Sequence, residues 1–598
     1  MFPSLDRYDV GSIDTETTGL KSTDVPVGLS LSLPDGQDFY FRWGHQLGGN
    51  NCTVDEVRRW ARAELPKLKA CVMHNGPFDM RMTAAVDFEP LRWSVEDTGT
   101  IASLLNELEG DFTLGGLLKK RGIGEKNDQE LNEWCAAHFG GPATRKAQAG
   151  NYWRAPGDVV APYAMGDSRG TLDLYEHDRP RITAEGLDSL YAVECGQLPI
   201  ILKLHIAGVR VDTPRAMMLR DSLNNEYAEL MMRWDQIAPG VLHTSTAQMA
   251  RYLDRLGIPY PRNKPTEAML KKGVTVGNPS IDADYLKKLA AQGHEFAAVN
   301  VRMRQLAHYA GTFIDSYILE NVDDWDVIHG EFHPNKRDEY GTVSGRYSSG
   351  GALNLQNIPG DKVWAPLIRG LFIPYRDGMD WTKFDYSQIE YRFLAHYAGG
   401  KLRQAYINDP KIDFHQMVAD MTGLPRKPAK NLNFAVVYGQ GARATAAQLG
   451  VSLDEAYDFI HQYRSRVPET AQLMDRAMNK AADRGYIITW AGRKRRFEKD
   501  GSGKYRALHK ALNGLLQGSA ADLVKKAMIE VDKIIDWDDC IMHLTVHDEL
   551  DFSIVKGERG DAYRRQIKQA MEGFDLTVPI IADCEVGPDW GHCKEIEL

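Results

Sequence analysis

Phe384-Asp385-Tyr386-Ser387-Gln388-Ile389-Glu390 and Val546-His547-Asp548-Glu549 are the two stretches whose pairing decides the fold of this 598-residue chain. Met379 to Phe384 reads as a strand that delivers Asp385 at its end. Ile541 to Val546 and Leu550 to Ile554 both alternate, which makes His547-Asp548-Glu549 the turn of a hairpin. Either acidic turn alone is an ordinary surface feature. Two strand ends from distant parts of the chain could thus present Asp385 and Asp548 together.

Between them, Arg426, Lys430, Phe434 and Tyr438 recur every four residues. On a helix such positions drift by only about 40° per step and form one stripe. Leu432, Ala435 and Val436 fall on the opposite side. Two cations followed by two aromatic rings suit an extended ligand with a polyphosphate at one end and a base and sugar at the other. A dry core is disfavoured there, because it would bury the cations. Pro428 fits a first turn, so the helix is expected to begin near residue 427.

Near the N-terminus, Asp14-Thr15-Glu16 ends a predicted strand, and the two-residue period puts both carboxylates on one face. They repel unless divalent cations neutralise them, and two such cations can stabilise the attacking and leaving oxygens of a phosphodiester. His74-Asn75-Gly76-Pro77-Phe78-Asp79 follows the apolar stretch Ala70 to Met73. Tyr163-Ala164-Met165-Gly166-Asp167 places a phenol and a carboxylate on one helix face.

Residues 8 to 40 read as strands, with Val10 and Ile13, then Val27, Leu29, Leu31 and Leu33, at alternating apolar positions. Long amphipathic helices are expected around 190–206, 214–237 and 281–320, and from 340 onward strands, turns and helices mix. The coarse reading is an α/β module, a helical projection and a large α+β module. Seven scattered cysteines without a CxxC pair suggest neither a zinc site nor a disulfide framework. No apolar run approaches the roughly 18 residues of a membrane span, and the N-terminus lacks a signal's basic start and apolar core, so a cytoplasmic protein is expected. The net charge of −10 disfavours simple coating of nucleic acid. The basic clusters Lys119-Lys120-Arg121 and Arg493-Lys494-Arg495-Arg496 read as solvated surface.

The three N-terminal motifs, in their order, resemble those of the DEDDy 3′→5′ exonucleases. DYSQIE, the RxxxKxxxFxxxYG stripe and VHDE resemble motifs A, B and C of family A, polymerase I-like, DNA polymerases. Thr342-Val343-Ser344-Gly345-Arg346-Tyr347-Ser348-Ser349, Asn354-Leu355-Gln356-Asn357-Ile358-Pro359, Asn513 with Gln517, and Val586-Gly587-Pro588-Asp589-Trp590 resemble further segments of that family. Tyr347 stands where the family usually has Leu, and Ala435 where it often has Gly.

The resemblance implies an α/β RNase H-like exonuclease domain over residues 1–185, followed by an α+β right-hand polymerase domain. Its thumb would cover 186–340, its palm 341–410 and 513–598, and its fingers 411–512. Asp14, Glu16, Asp79 and Asp167 would hold two Mg²⁺ or Mn²⁺ ions while Tyr163 orients the attacking water. Asp385, Tyr386 and Asp548 would hold two more, with Glu549 and Lys430 completing the catalytic set. The incoming dNTP would meet Arg426, Lys430, Phe434, Tyr438, Glu390, Gln388 and His415. Primer–template DNA would meet Arg346, Asn357, Asn513, Gln517 and His547. Glu390 is expected to crowd a ribose 2′-hydroxyl, the alternative being a surface salt bridge to Arg392 or a fingers lysine. With the exonuclease motif starting at residue 14, no 5′-nuclease domain is expected. This compact form suggests a monomeric phage replicase in the host cytoplasm, with helicase-primase and single-strand-binding protein as replisome partners and no membrane. Glu390 and the exonuclease motifs argue against a single-subunit RNA polymerase, and the full ligand set argues against an inactive nucleic-acid-binding scaffold.

Overall fold

The alternating N-terminal residues form β1 (Val10–Thr17), β2 (Pro26–Ser32) and β3 (Asp38–Arg42), joined by β4 (Ala70–Met73) and β5 (Val95–Asp97). The computed structural model describes residues 2–21, 23–335, 341–350 and 354–598; the expected boundary at residue 340 lies outside them. The five strands run in the order β3-β2-β1-β4-β5, antiparallel on one side of β1 and parallel on the other. Ile13, Leu29, Leu31 and Leu33 are fully buried, as the two-residue period requires. Helices α1 (Gly76–Ala85) and α2 (Gly157–Ala184) pack against β1.

Next comes α3 (Asp188–Ala207), which by length and apolar composition alone could cross a membrane, contrary to the expectation that no such segment exists. Its environment is protein. Leu190 and Tyr191 pack with Ala70 and Val72, Leu198 and Leu202 with the core of the N-terminal sheet, and Ile200, Ile201 and Leu204 with the C-terminal core. The helix is apolar nearly all round because it is a spine shared by both modules.

The helical projection begins with α4 (Thr213–Ile237), whose far end buries Trp234 in a separate core with Met249, Leu253, Leu286 and Met303. The helix expected over 281–320 is broken at Gly293, where φ is +91°. It resumes as Glu295–Ala307 and continues as a π-helix over His308–Leu319.

The C-terminal sheet consists of β6 (Met379–Tyr386), β7 (Cys540–Val546), β8 (Glu549–Val555), β9 (Ala582–Gly587) and β10 (Lys594–Ile596). Its order is β7-β8-β6-β9-β10 and every pairing is antiparallel. A mostly helical insertion between β6 and β7 contains α5 (Arg426–Val437) and ends in α6 (Ala511–Asp532).

The basic cluster at 493–496 is not solvated surface. Arg493 bonds Glu194 and Asp522, and Lys525 bonds both oxygens of Glu194 at 2.9 and 2.8 Å, with all four residues buried. Lys494 and Arg496 pair with Glu185, and Arg495 and Arg496 with Glu107. These cations bind the two modules together. Removing Arg493, Glu194, Asp522 or Lys525 would strand a buried charge, a loss of about 3–5 kcal/mol. In the other cluster Arg121 is largely covered and pairs with Glu109 and Asp178, whereas Lys119 and Lys120 are exposed and fit the solvated reading, Lys120 with Glu109 as its partner.

Candidate active sites

Register sets the C-terminal site. β6 and β8 place Asp385 opposite Glu549, β9 places Asp583 on its other side, and the Tyr386 N–H donates to the Asp548 carbonyl at 3.2 Å. The hairpin turn is tighter than expected, since Glu549 is already in β8 and only His547 and Asp548 turn. His547 (φ +61°) and Gln388 (φ +52°) both hold left-handed backbone. This costs a side-chain-bearing residue about 1 kcal/mol or more and marks both motifs as constrained.

Asp385 lies in a cleft that water reaches but protein surrounds. Burial, then the Asp548 and Glu549 carboxylates, push its pKa up to about 8. Burial raises Asp548 to about 6 against the pull of Arg346. Carboxylates crowded in this way favour a cation between them, and an all-oxygen donor set suits Mg²⁺ or Mn²⁺. Tyr386 can contribute only main chain, because its ring is buried and its hydroxyl donates to the Met571 carbonyl at 2.7 Å. Glu549 accepts from Trp590 Nε1 at 3.2 Å and lies 3.7 Å from Arg369, so the C-terminal VGPDW segment holds it from behind.

Helix α5 presents its stripe as the spacing predicts. It starts at Arg426, with Pro428 in the first turn. Arg426 and Lys430 are exposed, Phe434 and Tyr438 half-buried, and Leu432, Ala435 and Val436 buried behind them. Lys430 Nζ stands 5.8 Å from the Phe434 ring centroid, and Arg426 pairs with Asp413 at 2.6 Å. Glu390 lies at the foot of the stripe. It accepts from the Tyr438 hydroxyl at 2.9 Å and from Arg346. The alternative partner Arg392 is instead fully buried and caps the carbonyls of Ser387, Pro410 and Pro579.

Two residues expected to touch nucleotide are engaged by protein. Gln388 donates to the Ile412 carbonyl and accepts from the Phe414 N–H and the Tyr406 hydroxyl. His415 is buried against Tyr391 and Phe434 and bonded to Asn433, and burial beside Lys430 lowers its pKa to about 4. Asn357 and His547 are exposed, Gln517 lies beside the Tyr438 hydroxyl, and the Asn513 amide oxygen has no hydrogen-bond partner among the described residues. The Tyr347 departure has a physical reason: its hydroxyl donates to Gln197 and its ring lies 5.2 Å from the Lys525 ammonium, within the buried ionic network.

In the N-terminal site, the central strand β1 projects Asp14 and Glu16, and α2 supplies Asp167. Ligand oxygens of these three lie within 4.8 Å of one another. Asp79, on α1, accepts from the Thr15 N–H at 3.1 Å and the Thr15 hydroxyl at 2.6 Å, fixing the strand between the two acids. Burial, then the charges of Asp79, Asp167 and Glu16, hold Asp14 well above the usual carboxylate range, and burial with Asp167 raises Glu16 to about 8. The donor set again fits hard divalent cations. Tyr163 is buried one turn before Asp167, edge-on to Tyr152. Lys126, which no motif flagged, pairs with Asp167 and lies 4.7 Å from the Tyr163 ring centroid.

The chain is 31% identical to DNA polymerase DpoZ of Salmonella phage PMBT28, over all of this chain and 99% of the relative. It is 28% identical to DNA polymerase I of Chloroflexus aurantiacus, over 98% of this chain but 62% of that protein. The solved POL domain of Pol1 from M. smegmatis, in complex with DNA primer-template and dNTP, superimposes with a TM-score of 0.80 at 23% identity, covering 98% of this chain and 96% of that one. Residues 214–592 match the sequence model of DNA polymerase family A. This chain belongs to that family.

Proposed function

We propose that this chain is a template-directed DNA polymerase that extends a primer 3′-hydroxyl with dNTPs and removes misincorporated ends with its own 3′→5′ exonuclease. The observation that carries the polymerase reading is that Asp385 and Asp548 are neighbouring carboxylates, with Glu390 close to Asp548 and bonded to Tyr438 at the end of a helix stripe that begins with two exposed cations. The C-terminal sheet serves as palm, the helical insertion as fingers and the projection from α4 as thumb. The N-terminal sheet carries the exonuclease. The phage relative supports a role in phage DNA replication.

Divalent cations held by Asp385 and Asp548 would make the primer hydroxyl more acidic and offset triphosphate charge. The chain's own groups do the rest. Lys430 and Arg426 bind the triphosphate, with Arg426 exchanging Asp413 for phosphate oxygens. Phe434 and Tyr438 bracket the base and sugar. Arg346, Asn513 and Gln517 meet minor-groove acceptors, which correct pairs share, so pair geometry is checked without reading sequence. In the N-terminal site, Asp14, Glu16, Asp79 and Asp167 would hold the cations, which would activate the attacking water that Tyr163 would orient. The test is extension of a labelled primer on a DNA template. Mg²⁺-dependent addition of template-matched dNTPs is expected, and no extension at any Mg²⁺ or Mn²⁺ concentration would overturn the reading.

Two nucleotide-selection predictions follow from the stripe. Phe434 has no hydroxyl to replace a missing 3′-OH contact, so Phe434→Tyr should raise dideoxynucleotide use strongly and leave dNTP use nearly unchanged. Unaltered chain termination would remove Phe434 from the sugar site. Glu390, fixed by Tyr438 and Arg346, should exclude a 2′-hydroxyl, which would break the Tyr438 bond and leave a carboxylate poorly paired. Glu390→Ala should improve rCTP relative to dCTP insertion by about tenfold or more, corresponding to 1.4 kcal/mol of lost discrimination. An unchanged ratio in exonuclease-deficient protein would mean that Glu390 only anchors Arg346.

A further inference from the structure

Lys126 covers both groups that α2 offers to the N-terminal carboxylates. Its ammonium pairs with an Asp167 oxygen and lies against the Tyr163 ring. The residue comes from the segment between the helices Leu114–Arg121 and Gln129–Phe139. Its side chain keeps 15% of its exposure, beside the partly exposed Asp14 and Glu16. Unit charges about 4 Å apart repel by about 4 kcal/mol at the effective dielectric of such sites, and Asp14, Glu16 and Asp167 are within 4.8 Å of one another. One lysine relieves part of this repulsion. A divalent ion ligated by Asp167 would share that carboxylate with the Lys126 ammonium, so the two cations repel and compete for its charge even where the ion takes the other oxygen.

We propose that Lys126 is a resident counter-ion of this cluster, competing with divalent metal for Asp167, so that metal entry displaces it and uncovers the Tyr163 phenol. The inference rests on the exonuclease reading of the cluster. Lys126 is a positioning residue here: it keeps the acids together when metal is scarce and withholds the site until metal binds.

The test is Mn²⁺ titration of the full chain carrying Asp385→Asn and Asp548→Asn, which weakens the other site, by calorimetry and electron paramagnetic resonance. Lys126→Met, with Lys126→Gln as a second neutral variant, should bind Mn²⁺ about fivefold more tightly, an effect of about 1 kcal/mol. Lys126→Arg should stay near the parent, and the neutral variants should show the larger rise in melting temperature on adding Mn²⁺. Equal affinity in parent and neutral variants, or tightening by Lys126→Arg as well, would overturn the inference alone. If the parent shows no Mn²⁺ binding that Asp14→Ala with Glu16→Ala removes, the exonuclease reading of the cluster falls with it.

Discussion

Asp548→Asn should cut primer extension by about a thousandfold or more while 3′→5′ degradation continues at near its normal rate. A metal-bound carboxylate contributes several kcal/mol of charge stabilisation in nucleotidyl transfer, and about 4 kcal/mol already corresponds to a thousandfold in rate. The neutral amide keeps the shape of the turn but is a poor ligand. The substitution should not unfold the chain, because burial raises the Asp548 pKa to about 6 and the ionised form is disfavoured where it stands. An unchanged or higher melting temperature would check this point. Near-normal extension by the folded variant would mean that the hairpin turn is not a metal-binding position.

The converse double variant, Asp14→Ala with Glu16→Ala, should abolish degradation to a similar degree and leave extension largely intact. The two acids belong to the central strand of one sheet, and Asp385 and Asp548 to another sheet with its own core. Substitutions at sites without shared partners usually add independently. Asp14 and Glu16 repel their neighbours, so removing them relieves rather than creates strain, and the module should stay folded. Loss of both activities in a folded double variant would contradict the separation of the sites.

Local periodicity made much of this legible in the sequence. The four-residue spacing from Arg426 to Tyr438 dictates the helix stripe, and the alternation around Ile13, Leu29 and Leu31 gives the N-terminal strands. The alternating runs on either side of His547 give the hairpin. Features that join distant segments left no local signal. His543 is the extra residue of a β-bulge in β7, buried between the Gly208 carbonyl and the Ser553 hydroxyl, and nothing in its neighbours announces this. The 493–496 cluster looks like any basic surface turn until Glu107, Glu185, Glu194 and Asp522 are brought to it from far along the chain. The same holds for Arg346 as the partner of Glu390 and for Lys126 at Asp167. Each is a lone charge in sequence, and only tertiary packing supplies the opposite one. Helix α3, expected from the sequence to be amphipathic, is instead apolar nearly all round because it is buried on several sides within the protein.

The central claim is that one chain both extends a primer and corrects its end through two separate carboxylate sites. The most direct measurement follows a labelled primer with a 3′-terminal mismatch on a DNA template, with Mg²⁺ and all four dNTPs, and sequences the extended products. The account predicts full-length products in which the mismatched base has been replaced by the template-matched one, no such replacement with Asp14→Ala and Glu16→Ala, and shortening without extension with Asp548→Asn. Products of the unaltered chain that retain the mismatch, or replacement that persists in the Asp14→Ala and Glu16→Ala chain, would contradict it.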